Sequence, residues 1–327
     1  MKPRVIQIGR LQASLESALA GEFDTHPLWR ESDAAGFLAR EGGTFTGMAT
    51  SARAGADAKL MDALPRLRVI SNFGVGYETI DVEAARKRGI AVANTPDVLT
   101  DCVADLAIGL MIDVARGLSA ADRFVRRGEW PKGQFPLATR VSAKRLGILG
   151  LGRIGSAIAK RAQGFDMRIR YHNRRPLAGA PFEHVPSLVE LARWADFLVV
   201  AAAGGSATRN LVSSDVIDAL GRKGFLVNIA RGSVVDEPAL VQALGEKRIA
   251  GAALDVFVDE PNVPPALMQL DNVVLLPHIG SSTEATRRAM AMTAARNAVA
   301  ALAGEEPPNL LNPEARALRA RERPGRP

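Results

Sequence analysis

Arg231, Glu260 and His278 each stand a short way past an apolar run, and together they could move a proton and hold an anion. Val227-Asn228-Ile229-Ala230-Arg231-Gly232 puts a permanently charged guanidinium directly after a buried strand. A buried arginine without an anionic partner is costly, so Arg231 wants a carboxylate, structural or from a substrate. Asp255-Val256-Phe257-Val258-Asp259-Glu260-Pro261 sets carboxylates past the next run, and Leu276-Pro277-His278-Ile279-Gly280 sets an imidazole past the last. The chain has only four histidines, which makes His278 the leading acid–base group. A lone histidine at a strand end is often structural; companions on neighbouring strand ends favour a catalytic one.

A second constellation lies upstream. Arg145-Leu146-Gly147-Ile148-Leu149-Gly150-Leu151-Gly152-Arg153-Ile154-Gly155 is an apolar run closed by glycines at G-x-G-x-x-G spacing, followed by a helix-forming segment at 156–163. Gly150 would make the tight turn, Gly152 would admit a pyrophosphate, and Gly155 would let helix and strand pack closely. Arg153 and Ile154 then open a helix whose free N–H groups favour phosphate. About 20 residues on, an NAD site carries an acid for the ribose hydroxyl. Here the chain reads His172-Asn173-Arg174-Arg175, without one. Guanidinium forks grip a 2′-phosphate that a carboxylate would repel, so NADP(H) is expected over NAD(H).

Those residues need two scaffolds. With 327 residues, 47% hydrophobic and 24% charged, the chain reads as two globular domains. The single cysteine, Cys102, excludes an internal disulfide and a multi-cysteine metal site; no metal is expected. No apolar stretch is long enough to span a bilayer, Met1-Lys2-Pro3-Arg4 resembles no signal peptide, and a cytoplasmic location is expected. The net charge of +7 comes from scattered residues with a basic tail at 316–326, almost without aromatics, so nucleic-acid binding is not expected.

Strands at 5–8, 45–49, 69–73 and 90–93 alternate with helices at 11–20, 56–64 and from the Asp81 cap to Arg88. A long helix at 100–127 follows Thr95-Pro96-Asp97, and the loop at 128–141, with Trp130, Pro131, Phe135 and Pro136, has the content of a packing surface. A second alternation runs through strands at 145–149, 167–172, 197–202, 225–228, 249–254 and 273–276, with helices at 188–193, 214–220 and 237–244, then a last helix at 284–302. The expected fold is therefore α/β, with two doubly wound parallel sheets. Ligands of such sheets bind beyond the carboxyl strand ends, where Asn173, Arg174, Arg175, Ala203, Arg231, Asp255 and His278 fall.

The whole chain resembles the D-2-hydroxyacid dehydrogenases. The likeness rests on Gly150-Leu151-Gly152-Arg153-Ile154-Gly155, Asn228-Ile229-Ala230-Arg231-Gly232, Asp255-Val256-Phe257 with Glu260-Pro261, and Pro277-His278-Ile279-Gly280-Ser281. Asn94-Thr95-Pro96-Asp97-Val98-Leu99-Thr100-Asp101 and Arg126-Arg127-Gly128-Glu129-Trp130 further resemble the NADPH-preferring glyoxylate, hydroxypyruvate and hydroxyphenylpyruvate reductase branch. Asp97 departs from the glycine common elsewhere in the family, and Tyr77 from its usual smaller residue.

The resemblance implies a Rossmann dinucleotide-binding domain at 99–285 and a smaller, discontinuous, flavodoxin-like substrate domain at 1–98 and 286–327. It implies reduction of small 2-oxo acids to D-2-hydroxy acids in a cleft. Arg231 and the backbone amides of Val75 and Gly76 would hold the carboxylate. His278 would protonate the carbonyl oxygen as hydride arrives from the nicotinamide, and Glu260 would hold the ring and favour imidazolium. Asp255, Ala202, Ala203, Ile229, Ala230 and Gly280 would join the cofactor contacts, as would Arg231 and His278. A symmetric homodimer is implied, using the helix from Thr100 and the Trp130 loop. Two other classes share the fold: a dinucleotide-sensing interaction module, and a formate- or phosphite-type dehydrogenase.

Overall fold

Short apolar strands, each followed by a helix, build both halves of the chain. The computed structural model describes residues 2–315; the basic segment at 316–326 lies outside them. In chain order the first half contains β1 (Arg4–Gln7), α1 (Ala13–Glu22), β2 (Asp24–Pro27), α2 (Ala34–Glu41), β3 (Gly47–Ser51), α3 (Ala58–Asp62), β4 (Val69–Phe73), α4 (Val82–Lys87) and β5 (Ala91–Ala93). All strands pair in parallel, in the order β2-β1-β3-β4-β5. This is the flavodoxin-type order. Every residue of β4 is buried, as a central parallel strand covered on both faces requires. Aspartates start three of the helices: Asp33, Asp57 and Asp81 each accept a bond from the backbone N–H three residues on.

The second half runs α5 (Thr100–Arg116), α6 (Leu118–Arg126), β6 (Arg145–Leu149), α7 (Arg153–Gln163), β7 (Arg168–His172), β8 (Glu183–His184), α8 (Leu188–Trp194), β9 (Phe197–Val200), α9 (Ser214–Leu220), β10 (Phe225–Asn228), α10 (Glu237–Gly245), β11 (Gly251–Leu254), α11 (Pro265–Met268) and β12 (Val273–Leu275). Its seven parallel strands take the order β12-β11-β10-β9-β6-β7-β8. The order reverses beside β6, and such a reversal opens a crevice at the carboxyl strand ends. Arg161 of α7 reaches α5, with Nε 2.6 Å from Asp105 and an Nη 2.9 Å from Asp101.

The final helix, α12 (Glu284–Ala303), packs on the first sheet. Its fully buried Asn297 donates to the Asn94 carbonyl at 2.8 Å, and its Ala294 carbonyl accepts from Ser71 Oγ at 2.7 Å. The chain thus divides into two units, residues 1–99 with 283–327 and residues 100–282. Among the described residues no helix is long and apolar enough to cross a membrane.

Three differences from the sequence expectations have physical causes. The continuous helix expected at 100–127 is two helices, broken at Gly117, whose φ of 64° is left-handed. Asp113 fixes the break by accepting from the Ser119 N–H at 2.8 Å and from its hydroxyl. β2 and α2 were not expected, because Asp24-Thr25-His26-Pro27 shows no apolar alternation. β8 is only two residues long and escapes any periodicity.

Candidate active site

The glycine loop is shaped by what presses against it. Gly150 has φ +96°, and a Cβ there would lie 2.6 Å from the backbone nitrogen of Ala202. At Gly155 a Cβ would sit 2.1 Å from the Gly150 carbonyl oxygen. Gly152 caps α7 and faces open space, with nothing within 4 Å of where a Cβ would stand. The loop therefore closes tightly behind and stays open where helix N–H groups of Arg153 and Ile154 begin, which fits a pyrophosphate. Ala203, beyond β9, accepts from Thr208 Oγ1 at 2.8 Å.

Past β7, Arg174 and Arg175 are exposed. Neither has a side-chain hydrogen bond or ion pair to protein among the described residues. That leaves two guanidinium forks open to an anion. Asn173 Oδ1 accepts from the Leu151 N–H at 2.7 Å. The side chain thereby ties the turn after β7 to the glycine loop.

Arg231 is presented by a turn that Asn228 holds. Asn228 is 1% exposed; its Oδ1 accepts from Ala230 N–H at 3.0 Å and its Nδ2 donates to the Arg231 carbonyl at 3.0 Å. Ile229 and Ala230 of this turn are buried. One Arg231 Nη donates to the Ala230 carbonyl at 2.7 Å.

His278 is held from two sides. Its Nδ1 lies 2.7 Å from Glu260 Oε2, and Glu260 Oε1 accepts from the Phe257 N–H at 3.2 Å. A carboxylate on Nδ1 leaves Nε2 as the nitrogen that can hand a proton to a ligand. The backbone of His278 is left-handed, with φ 57°, a conformation that a non-glycine residue holds only when its surroundings impose it. Asp255, 1% exposed, supplies the constraint by accepting from the Ile279 N–H at 2.7 Å and the Gly280 N–H at 2.8 Å. Burial pushes the Asp255 carboxyl above its ordinary value, and the two amides pull it back. Among the described residues no cluster of histidine, cysteine and acidic groups could hold a metal ion.

In the first unit, Val75 and Gly76 follow β4. Asn94 Nδ2 donates to the Val75 carbonyl at 2.8 Å and Asn72 Nδ2 to the Gly76 carbonyl at 2.8 Å. Both asparagines are buried. They fix the peptide planes, and the N–H groups of Val75 and Gly76 take no protein acceptor among the described residues, which suits them to an anion. Sequence reasoning missed Asn72, Asn94 and Asn228 as site-shaping residues; the available signal was an amide at the end of an otherwise apolar strand.

The family described as D-isomer specific 2-hydroxyacid dehydrogenase, NAD binding domain, matches residues 108–280. A hydroxyphenylpyruvate reductase of Plectranthus scutellarioides is 46% identical over 301 residues, spanning 92% of this chain and 96% of the relative. A glyoxylate/hydroxypyruvate reductase A of Arabidopsis thaliana is 45% identical over 309 residues, spanning 94% and 98%. Among solved structures, an NADPH-dependent glyoxylate/hydroxypyruvate reductase from Sinorhizobium meliloti, in complex with NADP and malonate, superposes with a TM-score of 0.88 at 41% identity, over 96% of this chain and 98% of that one.

Proposed function

This chain belongs to the D-isomer specific 2-hydroxyacid dehydrogenases, and from that premise we propose that it reduces small 2-oxo acids, such as glyoxylate or hydroxypyruvate, to D-2-hydroxy acids with NADPH. The observation that carries the proposal is the Glu260–His278 pair at 2.7 Å on a turn clamped by Asp255. The dinucleotide, when bound along the Gly150–Gly155 loop, supplies the hydride. The chain's own residues do the rest. Arg231 holds the substrate carboxylate and polarises the ketone. His278 delivers a proton from Nε2 to the carbonyl oxygen, while Glu260 steadies the ring through Nδ1 and balances its positive charge. Asp255 acts on the reaction by fixing the His278 turn.

NADPH is the preferred cofactor in this proposal, since Arg174 and Arg175 occupy the ribose segment where no acid stands. The chain also works as a homodimer. Leu118, Val125, Trp130 and Leu137 are 50%, 51%, 67% and 104% exposed on α6 and the following loop, although Phe135 packs edge-on to Phe124 at 5.6 Å. Large apolar side chains left in water along one helix and its following loop favour a partner, here a second copy.

The test is NADPH oxidation by the purified chain with glyoxylate, hydroxypyruvate, pyruvate and phenylpyruvate. Turnover on at least one acid is expected. Absence of turnover on all four, with activity on formate or phosphite or none at all, would replace the proposal with one of the other classes.

A further inference from the structure

The ribose segment is braced by groups that the proposed chemistry leaves unused. Beyond β7 the chain runs Asn173-Arg174-Arg175-Pro176-Leu177, and both of its ends are clamped. At one end the Asn173 carbonyl accepts from His184 Nε2 at 2.9 Å. At the other the Leu177 N–H donates to the Tyr171 hydroxyl at 2.9 Å. Behind the clamps is an aromatic stack. The His184 ring tilts against Tyr171 at 5.2 Å between centroids and lies nearly parallel to His172, 16° apart in plane and 6.1 Å between centroids. His172 Nδ1 in turn donates to the Val185 carbonyl at 2.9 Å. A carbonyl can only accept, so each ring carries its proton on the nitrogen named.

The clamped segment carries two exposed arginines and nothing between them and solvent. Long cationic side chains lose affinity to the ordering of their own loop, and a loop fixed in advance avoids that loss. Tyr171 is 1% exposed and His184 half-buried, so the brace is part of the sheet edge and does not depend on a ligand.

We propose that His184 and Tyr171 are positioning residues for recognition of a ribose 2′-phosphate. They hold the backbone of 173–177 so that Arg174 and Arg175 meet a phosphomonoester on the adenosine ribose. This rests on the NADP(H) preference proposed above. A merely structural role would weaken the fold, or all nucleotide binding equally, and would leave discrimination between phosphorylated and plain ribose unchanged.

The experiment is calorimetric titration of the full chain with adenosine 2′,5′-bisphosphate and with 5′-AMP. The parent binds the bisphosphate more tightly. His184→Ala and Tyr171→Phe reduce that preference by roughly fivefold, about the weight of one hydrogen bond, with 5′-AMP affinity held. His184→Gln, whose amide can donate at a similar reach, restores most of it. Either variant keeping the parental ratio, or losing both ligands equally, overturns the positioning role. A parent that shows no preference overturns the NADP(H) proposal instead, and this inference falls with it. Tyr171→Phe keeps the ring and its packing, so it decides the matter should His184→Ala fail to fold.

Discussion

Replacing Asp255 by asparagine probes the part of the site that positions the proton donor without touching it. The carboxylate accepts two backbone bonds, at 2.7 Å from Ile279 and 2.8 Å from Gly280. Asparagine keeps one acceptor and turns an NH₂ group toward the other amide. One backbone N–H loses its acceptor and is left facing a donor, a cost of about 1–3 kcal/mol that does not depend on the charge of the parent's carboxyl. Against this, burial holds the Asp255 carboxyl above its ordinary value, so removing the charge recovers part of the loss. A net cost of about 1–2 kcal/mol remains to be met by relaxation of the left-handed His278 turn. Misplacing a catalytic group by about 1 Å can cost 10²-fold, so kcat should fall by roughly 10- to 100-fold.

The stability difference should depend on pH in a fixed direction. A carboxyl raised by burial binds its proton more tightly in the folded chain than in the unfolded one. Its contribution is complete below the unfolded value of about 3.9 and is lost as pH climbs through the folded value. Urea unfolding of parent and variant across the acid range to neutrality should therefore show the widest gap at low pH. A variant with parental kcat, or a gap that widens toward neutral pH, would refute the reasoning.

His278→Ala removes the proton donor and should lower kcat by roughly 10² to 10⁴, with NADPH affinity nearly unchanged by titration. Glu260→Gln removes the carboxylate charge 2.7 Å from His278 Nδ1 that balances the ring during proton delivery, and should lower kcat by roughly tenfold; an unchanged kcat contradicts that role. Arg174→Ala removes one guanidinium fork and should cut the NADPH-over-NADH ratio of kcat/KM at least tenfold, a charge-assisted bond being worth about 1.5–3 kcal/mol. Light scattering at micromolar concentration should give a dimer for the parent and a shift toward monomer for a Trp130→Ala, Leu137→Ser double variant; a monomeric parent defeats the homodimer proposal.

The parallel architecture was legible because buried strands such as Phe197–Val200, and Phe225–Asn228 up to its last residue, are apolar runs, with helices of clear amphipathic spacing between most of them. Chemistry-bearing side chains were legible for a related reason. In a parallel sheet every strand delivers its next residues to the same edge, so a charged group just past an apolar run is placed by topology alone. What escaped was set by contacts distant in sequence. Gly117 breaks a helix whose apolar spacing continues on either side, and periodicity carries no information about its φ. Asn173 spends its Oδ1 on Leu151, 22 residues back, and Asn72 and Asn94 act on peptide carbonyls, which no pattern of residue types reveals. His184 drew no notice because its strand is two residues long.

The most direct test of the central claim is the stoichiometry and chirality of the product formed from hydroxypyruvate and NADPH. The account predicts one D-glycerate for each NADPH consumed by the parent, and the same product at a rate roughly 10² to 10⁴ lower for His278→Ala. An L-product, NADPH consumption without glycerate, or an undiminished rate in the variant would contradict it.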